Sequence, residues 1–257
     1  MKIQNKKFLI ITGGIGFLGS FFSQSLSKKG FNVIIIDKDK PKNIYQKKVI
    51  KNCFMFKQLD VTKEKEIYKF YKELQSKKIK IDYLINNAAI DSVPKNNLKK
   101  NHLPELKVWN HELAVSLTGS YVMIKYFGEE MLKRKYGKIV NIGSDLSVIA
   151  PNQSLYSDFG NFLKPVTYSV IKHGQLGLTK YFSSLYAKNK VQVNMLSPGP
   201  IFNYQKKKFV LKLNKLIPMG RMADRSDLIE TLLFLLDDQN NYITGQNIIV
   251  DGGKTLI

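Results

Sequence analysis

The sequence predicts an α/β protein with one domain, residues 1–257, built on a doubly wound parallel sheet of about seven strands with helices on both faces. Three observations predict it. Short apolar runs alternate with helical patterns along the chain, which is typical of a parallel sheet covered on both faces. The first apolar run ends in a glycine-rich turn followed by a helical pattern. No repeat, linker or shift in composition divides the chain.

The composition indicates a globular protein with a basic surface. Apolar residues make up 44% of the chain, and the formal net charge is +21. Only Arg134, Arg221 and Arg225 are arginines, and the remaining basic residues are scattered lysines. Recognition of nucleic acid recruits arginine for its bidentate fork. We therefore expect a solvated basic surface and no nucleic-acid partner.

Cysteine usage and hydropathy predict a cytoplasmic protein without a membrane partner. Cys53 is the single cysteine, so no intramolecular disulfide can form, which fits a reducing compartment. No apolar run is long enough to span a bilayer, and no signal peptide precedes residues 8–11. His102, His111 and His173 do not cluster with cysteines or carboxylates, so we expect no metal site.

The first element is a strand at residues 7–12, which runs into the turn Gly13-Gly14-Ile15-Gly16-Phe17-Leu18-Gly19 and a helix to about Lys29. Glycine lets the backbone approach a pyrophosphate, and the first N–H groups of a helix point at it. This strand–turn–helix context predicts a dinucleotide cradle of the Rossmann type.

The second strand, residues 32–36, ends at Asp37, which is 18 positions after Gly19. A carboxylate there accepts hydrogen bonds from ribose hydroxyls and repels a 2′-phosphate, so it favours NAD. Lys38 and Lys40 reduce that repulsion and keep NADP as an alternative. Residues 38–51 are predicted to be a polar loop.

The middle of the chain continues the alternation of strands and helices. A strand is predicted at residues 54–59, an amphipathic helix at 63–78 and a further strand at 81–85. The small residues at 86–89 would let a flat cofactor lie close to the strand end. Residues 91–106 are polar and contain two prolines, so we expect an exposed loop.

A long helix at residues 107–133 and a strand at 138–142 lead to Ser144. A serine at the carboxyl end of a strand lies where open parallel sheets bind ligands. Residues 145–167 show no clear period and are expected to form an ordered flap beside the site. The helix that follows, residues 167–188, carries the most informative pair of side chains.

Tyr168 and Lys172 are one helical turn apart and project from the same face of that helix. A nearby cation favours the phenolate, so we expect a tyrosine pKa lowered toward neutrality, as a general acid/base requires. A strand at 192–196 and a rigid turn at 197–201 follow. After this turn we expect a basic loop at 206–208, a helix at about 226–236 and a last strand at 247–250.

Nearly the whole chain resembles the short-chain dehydrogenase/reductase family, in its compact single-domain branch. The resemblance consists of motifs in the expected order. They are Thr12-Gly13 to Gly19, Asp60-Val61, Asn86-Asn87-Ala88, Ser144, Tyr168 with Lys172, Ser197-Pro198-Gly199, Ile243 to Gln246, and Asp251-Gly252-Gly253.

The resemblance implies an oxidoreductase that moves a hydride between a substrate carbon and nicotinamide. Tyr168 would be the general acid/base, Ser144 would hold the substrate oxygen, and Lys172 would lower the tyrosine pKa and bind the nicotinamide ribose. It also implies a homo-oligomer, a dimer or tetramer, formed through the long helices and the C-terminal region. The implied cofactor-binding residues are Thr12, Gly13, Gly16, Phe17, Leu18, Gly19, Asp37, Asp60, Val61, Asn87, Ala88, Tyr168, Lys172, Pro198, Gly199 and Ile201.

Three features depart from the compact branch. The glycine turn is spaced Gly-xx-Gly-xx-Gly, which is similar to the extended, sugar-nucleotide branch. Ser116 stands where an asparagine normally completes the catalytic group. The 24 positions from Ser144 to Tyr168 exceed the usual interval, which predicts a flap that shapes the substrate pocket.

The stretches 144–151 and 164–167 resemble a bacterial subgroup associated with surface-glycan and flagellin-modification pathways. This resemblance implies a small-molecule substrate, a sugar phosphate or nucleotide sugar. One alternative is a β-ketoacyl carrier-protein reductase, which the basic surface favours and Asp37 disfavours. The other is a catalytically silent dinucleotide-binding regulator or scaffold, which only Ser116 favours.

Overall fold

Seven strands form one parallel sheet in the computed structural model, which describes residues 7–91, 103–159 and 162–257. The order across the sheet is β3-β2-β1-β4-β5-β6-β7. The predicted seven-stranded α/β fold is confirmed. The strands are β1 (Phe8–Thr12), β2 (Asn32–Asp37), β3 (Met55–Gln58), β4 (Tyr83–Asn86), β5 (Gly137–Ile142), β6 (Val191–Pro198) and β7 (Asn247–Val250).

The order of the strands reverses at β1. β2 and β3 lie on one side of β1, whereas β4 to β7 lie on the other. The connections leave β1 and β4 in opposite directions, so a crevice opens beyond their carboxyl ends. This crevice is where the sequence places its candidate site.

Helices cover both faces of the sheet. A continuous helical segment runs from residue 106 to 134, in which two π-helical turns, Ala114–Thr118 and Ile124–Gly128, separate three α-helical parts. The α-helices are α1 (Phe17–Lys28), α2 (Ile44–Lys51), α3 (Glu64–Ser76), α4 (Leu106–Leu113), α5 (Gly119–Met123), α6 (Glu129–Arg134), α7 (Val166–Tyr186), α8 (Lys207–Asn214) and α9 (Ile229–Leu236).

Two apolar layers sandwich the sheet, because side chains alternate between its faces along each strand. Ile10 and Ile34 belong to the layer that contains residues of α3, the 106–134 segment and α7. Leu9 and Ile35 belong to the layer that contains residues of α1 and α9. All four are fully buried, so both faces of the strands are core.

Two sequence predictions are wrong at the level of local structure. The predicted loop at 38–51 contains α2, whose N-cap Asn43 accepts a hydrogen bond from the Gln46 backbone N–H through its side chain (2.9 Å). The predicted basic loop at 206–208 opens α8. Both helices are only eight residues long and lysine-rich, so each spans about two turns and offers few apolar positions from which to predict a helix.

The described residues of the predicted flap, 145–159 and 162–167, pack on α8. They contain two 3-10 turns, Asp145–Ser147 and Gln153–Phe159. A third apolar cluster joins them to α8 and the residues that follow: Leu155, Leu213, Ile217 and Met222.

The predicted exposed loop at 91–106 includes residues 92–102, which lie outside the described residues. Within the ranges that the structure does describe, no helix is long and apolar enough to cross a membrane.

Candidate active site

A cleft of about 630 Å³ opens at the carboxyl ends of the strands. Its walls come from the residues after β1 to β6, from the flap, and from the C-terminal Lys254. Ser116, Thr12 and Gly19 are the predicted site residues that do not line it. Those that do are Gly13, Gly16, Phe17, Leu18, Asp37, Asp60, Val61, Asn87, Ala88, Ser144, Tyr168, Lys172, Pro198, Gly199 and Ile201.

The glycine turn forms one end of the cleft. Gly13 has φ of 62°, a left-handed conformation that favours glycine. Gly16 is the N-cap residue of α1, and Gly16, Phe17 and Leu18 line the cleft where this helix begins. A Cβ atom on Gly19 would come within 2.0 Å of the Gly13 carbonyl oxygen, so the turn and α1 touch through their backbones. The turn therefore fits a pyrophosphate, although its glycine spacing departs from the compact branch.

Thr12 holds the cleft wall from behind. Its Oγ1 accepts hydrogen bonds from the backbone N–H groups of Asn87 and Ala88, both at 3.0 Å. The Asn87 amide nitrogen donates in turn to the carbonyl oxygens of Thr12 (3.0 Å) and Gly13 (3.1 Å). The end of β4 is thereby tied to the glycine turn, and the two walls keep their separation.

Asp37 stands at the end of β2 with its carboxylate at the cleft. It accepts hydrogen bonds from the backbone N–H groups of Ile15 (3.2 Å) and Asp39 (3.1 Å). Burial raises the pKa of Asp37, and these two hydrogen bonds oppose the rise. Gln46 on α2 donates to the Ile15 carbonyl oxygen (2.8 Å), so the helix that the sequence did not predict braces the turn.

Tyr168 and Lys172 lie on the first two turns of α7, facing the cleft. The Lys172 ammonium is buried, donates to the Ile142 carbonyl oxygen (3.0 Å), and lies 5.5 Å from the centre of the Tyr168 ring. Ser144 follows β5, and its hydroxyl donates to an Asp145 oxygen (2.8 Å). The structure thus brings together Ser144, Tyr168 and Lys172, the three side chains that the resemblance assigns to one site.

The expected lowering of the tyrosine pKa is wrong for the protein alone. Burial is the largest effect and raises the pKa of Tyr168, the Asp91 carboxylate adds to the rise, and a hydrogen bond with Ser144 opposes it. Burial also lowers the pKa of Lys172 to about 8. The physical reason is desolvation, which disfavours both the phenolate and the ammonium more strongly than a partner 5.5 Å away can offset.

Two ion pairs beside Tyr168 were not predicted from the sequence. The Lys164 ammonium lies 4.0 Å from the centre of the Tyr168 ring and pairs with Asp91. The Lys254 ammonium pairs with Asp145 at 2.6 Å. The partners lie 73 and 109 positions apart in the chain, so no local pattern connects them.

Ser116 does not reach the cleft. Its side chain is fully buried in the π-helical turn Ala114–Thr118, and its Oγ has no hydrogen-bond partner in the described part of the chain. Its neighbour Val115 lines the cleft instead. The cleft wall at this point is therefore apolar.

A Rossmann-type cleft with a tyrosine, a lysine and a serine at its centre defines a nicotinamide-dependent oxidoreductase. A family model described as enoyl-(acyl carrier protein) reductase matches residues 14–255. The chain belongs to the short-chain dehydrogenase/reductase family, and it is an NAD(P)-dependent oxidoreductase.

Individual relatives agree over almost the whole chain. An NAD-dependent glycerol dehydrogenase of Listeria innocua is 30% identical over 97% of this chain and 94% of its own length. A 3-oxoacyl-(acyl-carrier-protein) reductase of Buchnera aphidicola is 34% identical over 98% of both chains. The structure of a short-chain dehydrogenase from Leptospira borgpetersenii with bound NAD+ superposes with a TM-score of 0.85, at 29% identity, covering 99% of this chain and 97% of the other.

Proposed function

We propose that this enzyme transfers a hydride between NAD and a hydroxyl-bearing carbon of a sugar derivative, with sugar phosphates and nucleotide sugars of surface-glycan biosynthesis as the first candidates. The observation that carries the substrate class is the ion pair Asp91–Lys164, which lines the cleft beside Tyr168. This pair offers donors and acceptors side by side, which suits a substrate with several hydroxyls. The glycerol dehydrogenase among the relatives supports a polyhydroxylated substrate.

The residues of the cleft divide the work of catalysis. Nicotinamide supplies or accepts the hydride when the cofactor is bound. Tyr168 exchanges a proton with the substrate oxygen, and Ser144 holds that oxygen by a hydrogen bond. Lys172 binds the ribose hydroxyls next to the nicotinamide with its ammonium. These roles are taken from the family pattern, and the shared cleft supports them.

The cofactor preference follows from Asp37. A carboxylate held by the Ile15 and Asp39 backbone N–H groups presents oxygen atoms to ribose hydroxyls and repels a 2′-phosphate. Lys38 also lines the cleft, so NADP binding is weakened rather than abolished. We expect NAD to be the working cofactor.

Reduction of a carrier-bound β-ketoacyl group is the second candidate function. One wall of the cleft is apolar and would accommodate an acyl chain; it consists of Leu155, Phe209, Leu213 and Met222. The Buchnera relative and the basic surface, which suits an acidic carrier protein, also favour this reaction. Asp37 disfavours it, because such a reductase would use NADPH.

We also propose a homo-oligomer, a dimer or tetramer, that assembles through the long helices. Exposed apolar side chains on α5 and α7 support this: Tyr121, Tyr181 and Leu185 are 45%, 65% and 54% exposed. Burying such side chains against a second copy removes apolar surface from water.

The proposed reaction is tested with a panel of sugar phosphates, nucleotide sugars and an acetoacetyl thioester, each assayed with NAD and NADP in both directions. We expect turnover of a sugar derivative with NAD. The variant Tyr168→Phe should lose at least a hundredfold in turnover while it still binds NADH. Tyr242→Phe, at a tyrosine that is 98% exposed, is the matched control. Unchanged turnover in Tyr168→Phe contradicts the mechanism, and preferred reduction of the thioester supports the second candidate.

A further inference from the structure

A buried ion pair joins Lys254, near the end of the sequence, to Asp145, the residue after Ser144. The Lys254 ammonium lies 2.6 Å from Asp145 Oδ2, and the side chains are only 10% and 7% exposed. The other oxygen of Asp145 accepts the hydroxyl proton of Ser144 at 2.8 Å. Burying an ion pair costs desolvation free energy that hydrophobic residues in the same place would not cost. This pair at the cleft is therefore a candidate for a functional role.

The C-terminal turn that carries Lys254 is firmly held. Asp251 follows β7 and accepts hydrogen bonds from the backbone N–H groups of Gly253 (2.9 Å) and Thr255 (2.7 Å). A Cβ atom on Gly199 would come within 2.6 Å of the Asp251 Cα, so the turn packs directly against the end of β6. The backbone that carries Lys254 is therefore held in place, and the side chain extends from it to Asp145.

The hydroxyl of Ser144 has one proton and two lone pairs. One lone pair accepts the Leu146 backbone N–H (3.2 Å), and the proton is donated to Asp145. While the Ser144 hydroxyl donates its hydrogen bond to Asp145, it can accept one from Tyr168 but cannot donate one to a phenolate or a substrate oxygen. The strength with which Asp145 attracts the proton depends on the charge of Lys254 beside it.

We propose that Asp145 and Lys254 form a positioning pair: Asp145 sets the direction of the Ser144 hydroxyl, Lys254 balances the charge of Asp145, and together they set the pH dependence of proton transfer at Tyr168. This inference rests on the proposed roles of Tyr168 and Ser144. Neither residue of the pair touches the reacting atoms in this account.

Several charges face Tyr168 from the surrounding elements. Lys172 lies on the same helix as Tyr168, whereas Lys254 contacts Asp145 and in this proposal acts on the tyrosine through it. The groups are Asp91 after β4, Asp145 after β5, Tyr156 in the flap, Lys164 before α7, and Lys172. The Asp145 carboxylate is among the groups that raise the pKa of Tyr168.

The positioning pair therefore predicts that removing each of its two charges shifts the pKa of Tyr168 in opposite directions. Removing the Asp145 charge in Asp145→Asn should lower the pKa of Tyr168 by about one unit. Removing the Lys254 charge in Lys254→Met leaves Asp145 uncompensated and should raise it by a similar amount. The double variant has neither charge and should behave as Asp145→Asn, and Lys254→Arg should restore the wild-type value.

The first readout is the titration of Tyr168 in the NAD complex, followed by the 13C resonance of tyrosine labelled at the ζ carbon and identified by its loss in Tyr168→Phe. We expect the midpoint to rise in the order Asp145→Asn, wild type, Lys254→Met. The second readout is the pH profile of kcat/KM for the sugar derivative oxidised in the panel above, whose acid limb should move in the same order. Lys125→Met, which removes an exposed ion pair with Glu64 (2.8 Å), is the control and should match the wild type.

The outcomes separate this inference from the proposed function. The positioning pair is overturned if the Tyr168 midpoint is the same in all variants, or if it moves in the same direction in Asp145→Asn and Lys254→Met. It is also overturned if Tyr168 fails to titrate in Asp145→Asn. Turnover retained in Tyr168→Phe overturns the proposed function instead. Because Lys254→Met could destabilise the chain, the double variant, which leaves no uncompensated charge, provides the test if the single variant does not fold.

Discussion

At the scale of the residue, the chemistry of the cleft depends on charges that are held away from water. Among the described residues no carboxylate forms an ion pair with the buried Lys172, whereas Lys164 and Lys254 each have one. Desolvation disfavours the charged forms of Lys172 and Tyr168 alike. Burial therefore works against a permanent charge on Lys172 and on Tyr168, in contrast to the two ion pairs beside them.

The buried ammonium of Lys172 should make stability depend on pH. Its pKa is about 8 in the folded chain and 10.5 ordinarily, so between these values the unfolded chain binds more protons. The free energy of unfolding should therefore rise with pH, by about 2 kcal/mol up to pH ~9.5, and Lys172→Met should lack this rise. Urea unfolding at both ends of the interval measures it. Lys125→Met should follow the wild type, and a Lys172→Met curve parallel to the wild type would contradict the buried charge.

Gly19 should tolerate no side chain. The Cβ of Gly19→Ala would meet the Gly13 carbonyl oxygen at 2.0 Å, so the turn must move. We expect a loss of about 1–3 kcal/mol in stability and at least a tenfold weaker binding of NADH. Gly177→Ala on α7, where a Cβ meets nothing within 4 Å, is the control and should be neutral or stabilising. Wild-type NADH affinity in Gly19→Ala would show that the turn is not the cradle.

At the scale of the element, the flap lines the cleft beside Tyr168, where we propose that the substrate binds. Gln153 closes it: its Oε1 accepts the Lys164 backbone N–H (2.9 Å), and its Nε2 donates to the Lys164 carbonyl oxygen (3.1 Å). Lys164 is thereby fixed over the Tyr168 ring. The Gln153 side chain thus connects the flap to Lys164 and, through Lys164, to Tyr168.

Loss of this connection should affect the substrate more than the cofactor. Gln153→Ala removes two hydrogen bonds, each worth roughly 1 kcal/mol, so KM for the substrate should rise about tenfold. NADH affinity, measured by nicotinamide fluorescence, should stay within about twofold of the wild type, since the glycine turn is untouched. The exposed Gln239→Ala is the control. Equal losses of substrate and NADH binding would indicate general unfolding of the flap and contradict a local role.

The sequence was sufficient for the elements with strong periodicity. The seven strands and the long helices follow from apolar runs and from the glycine turn, and Ser144, Tyr168 and Lys172 lie in one cleft as expected. The sequence did not predict α2 and α8, which are both short. α2 is stabilised by its N-cap Asn43, and α8 is stabilised by apolar contacts with the flap. The ion pairs of Lys164 and Lys254 depend on tertiary contacts, and the pKa of Tyr168 depends on burial, so neither could be predicted locally.

At the scale of the whole molecule, the enzyme is a basic α/β protein that exposes apolar side chains on α5 and α7. The net charge of +21 is spread over lysines, several of which pair with carboxylates on the surface. Other elements also expose apolar side chains, such as Ile44 on α2 and Leu211 on α8, so α5 and α7 form one exposed apolar region among several.

The proposed oligomer can be tested on α7. Leu185→Glu places a charge among the exposed apolar side chains, so it should dissociate a dimer or tetramer by opposing burial of that surface. Light scattering should give a multiple of 29.5 kDa for the wild type and a smaller mass for the variant. Leu211→Glu, at a side chain that is also 54% exposed but lies on α8, is the matched control. A wild-type mass of one chain would contradict the assembly.

The most direct test of the account is a titration of the purified protein with NADH and with NADPH, followed by nicotinamide fluorescence. Asp37 at the end of β2 predicts that NADH binds at least tenfold more tightly, and that Asp37→Asn narrows this difference. Tighter binding of NADPH would contradict the role of Asp37 and favour the carrier-protein reductase. Binding of neither nucleotide would contradict the cradle itself and leave a catalytically silent scaffold as the better description.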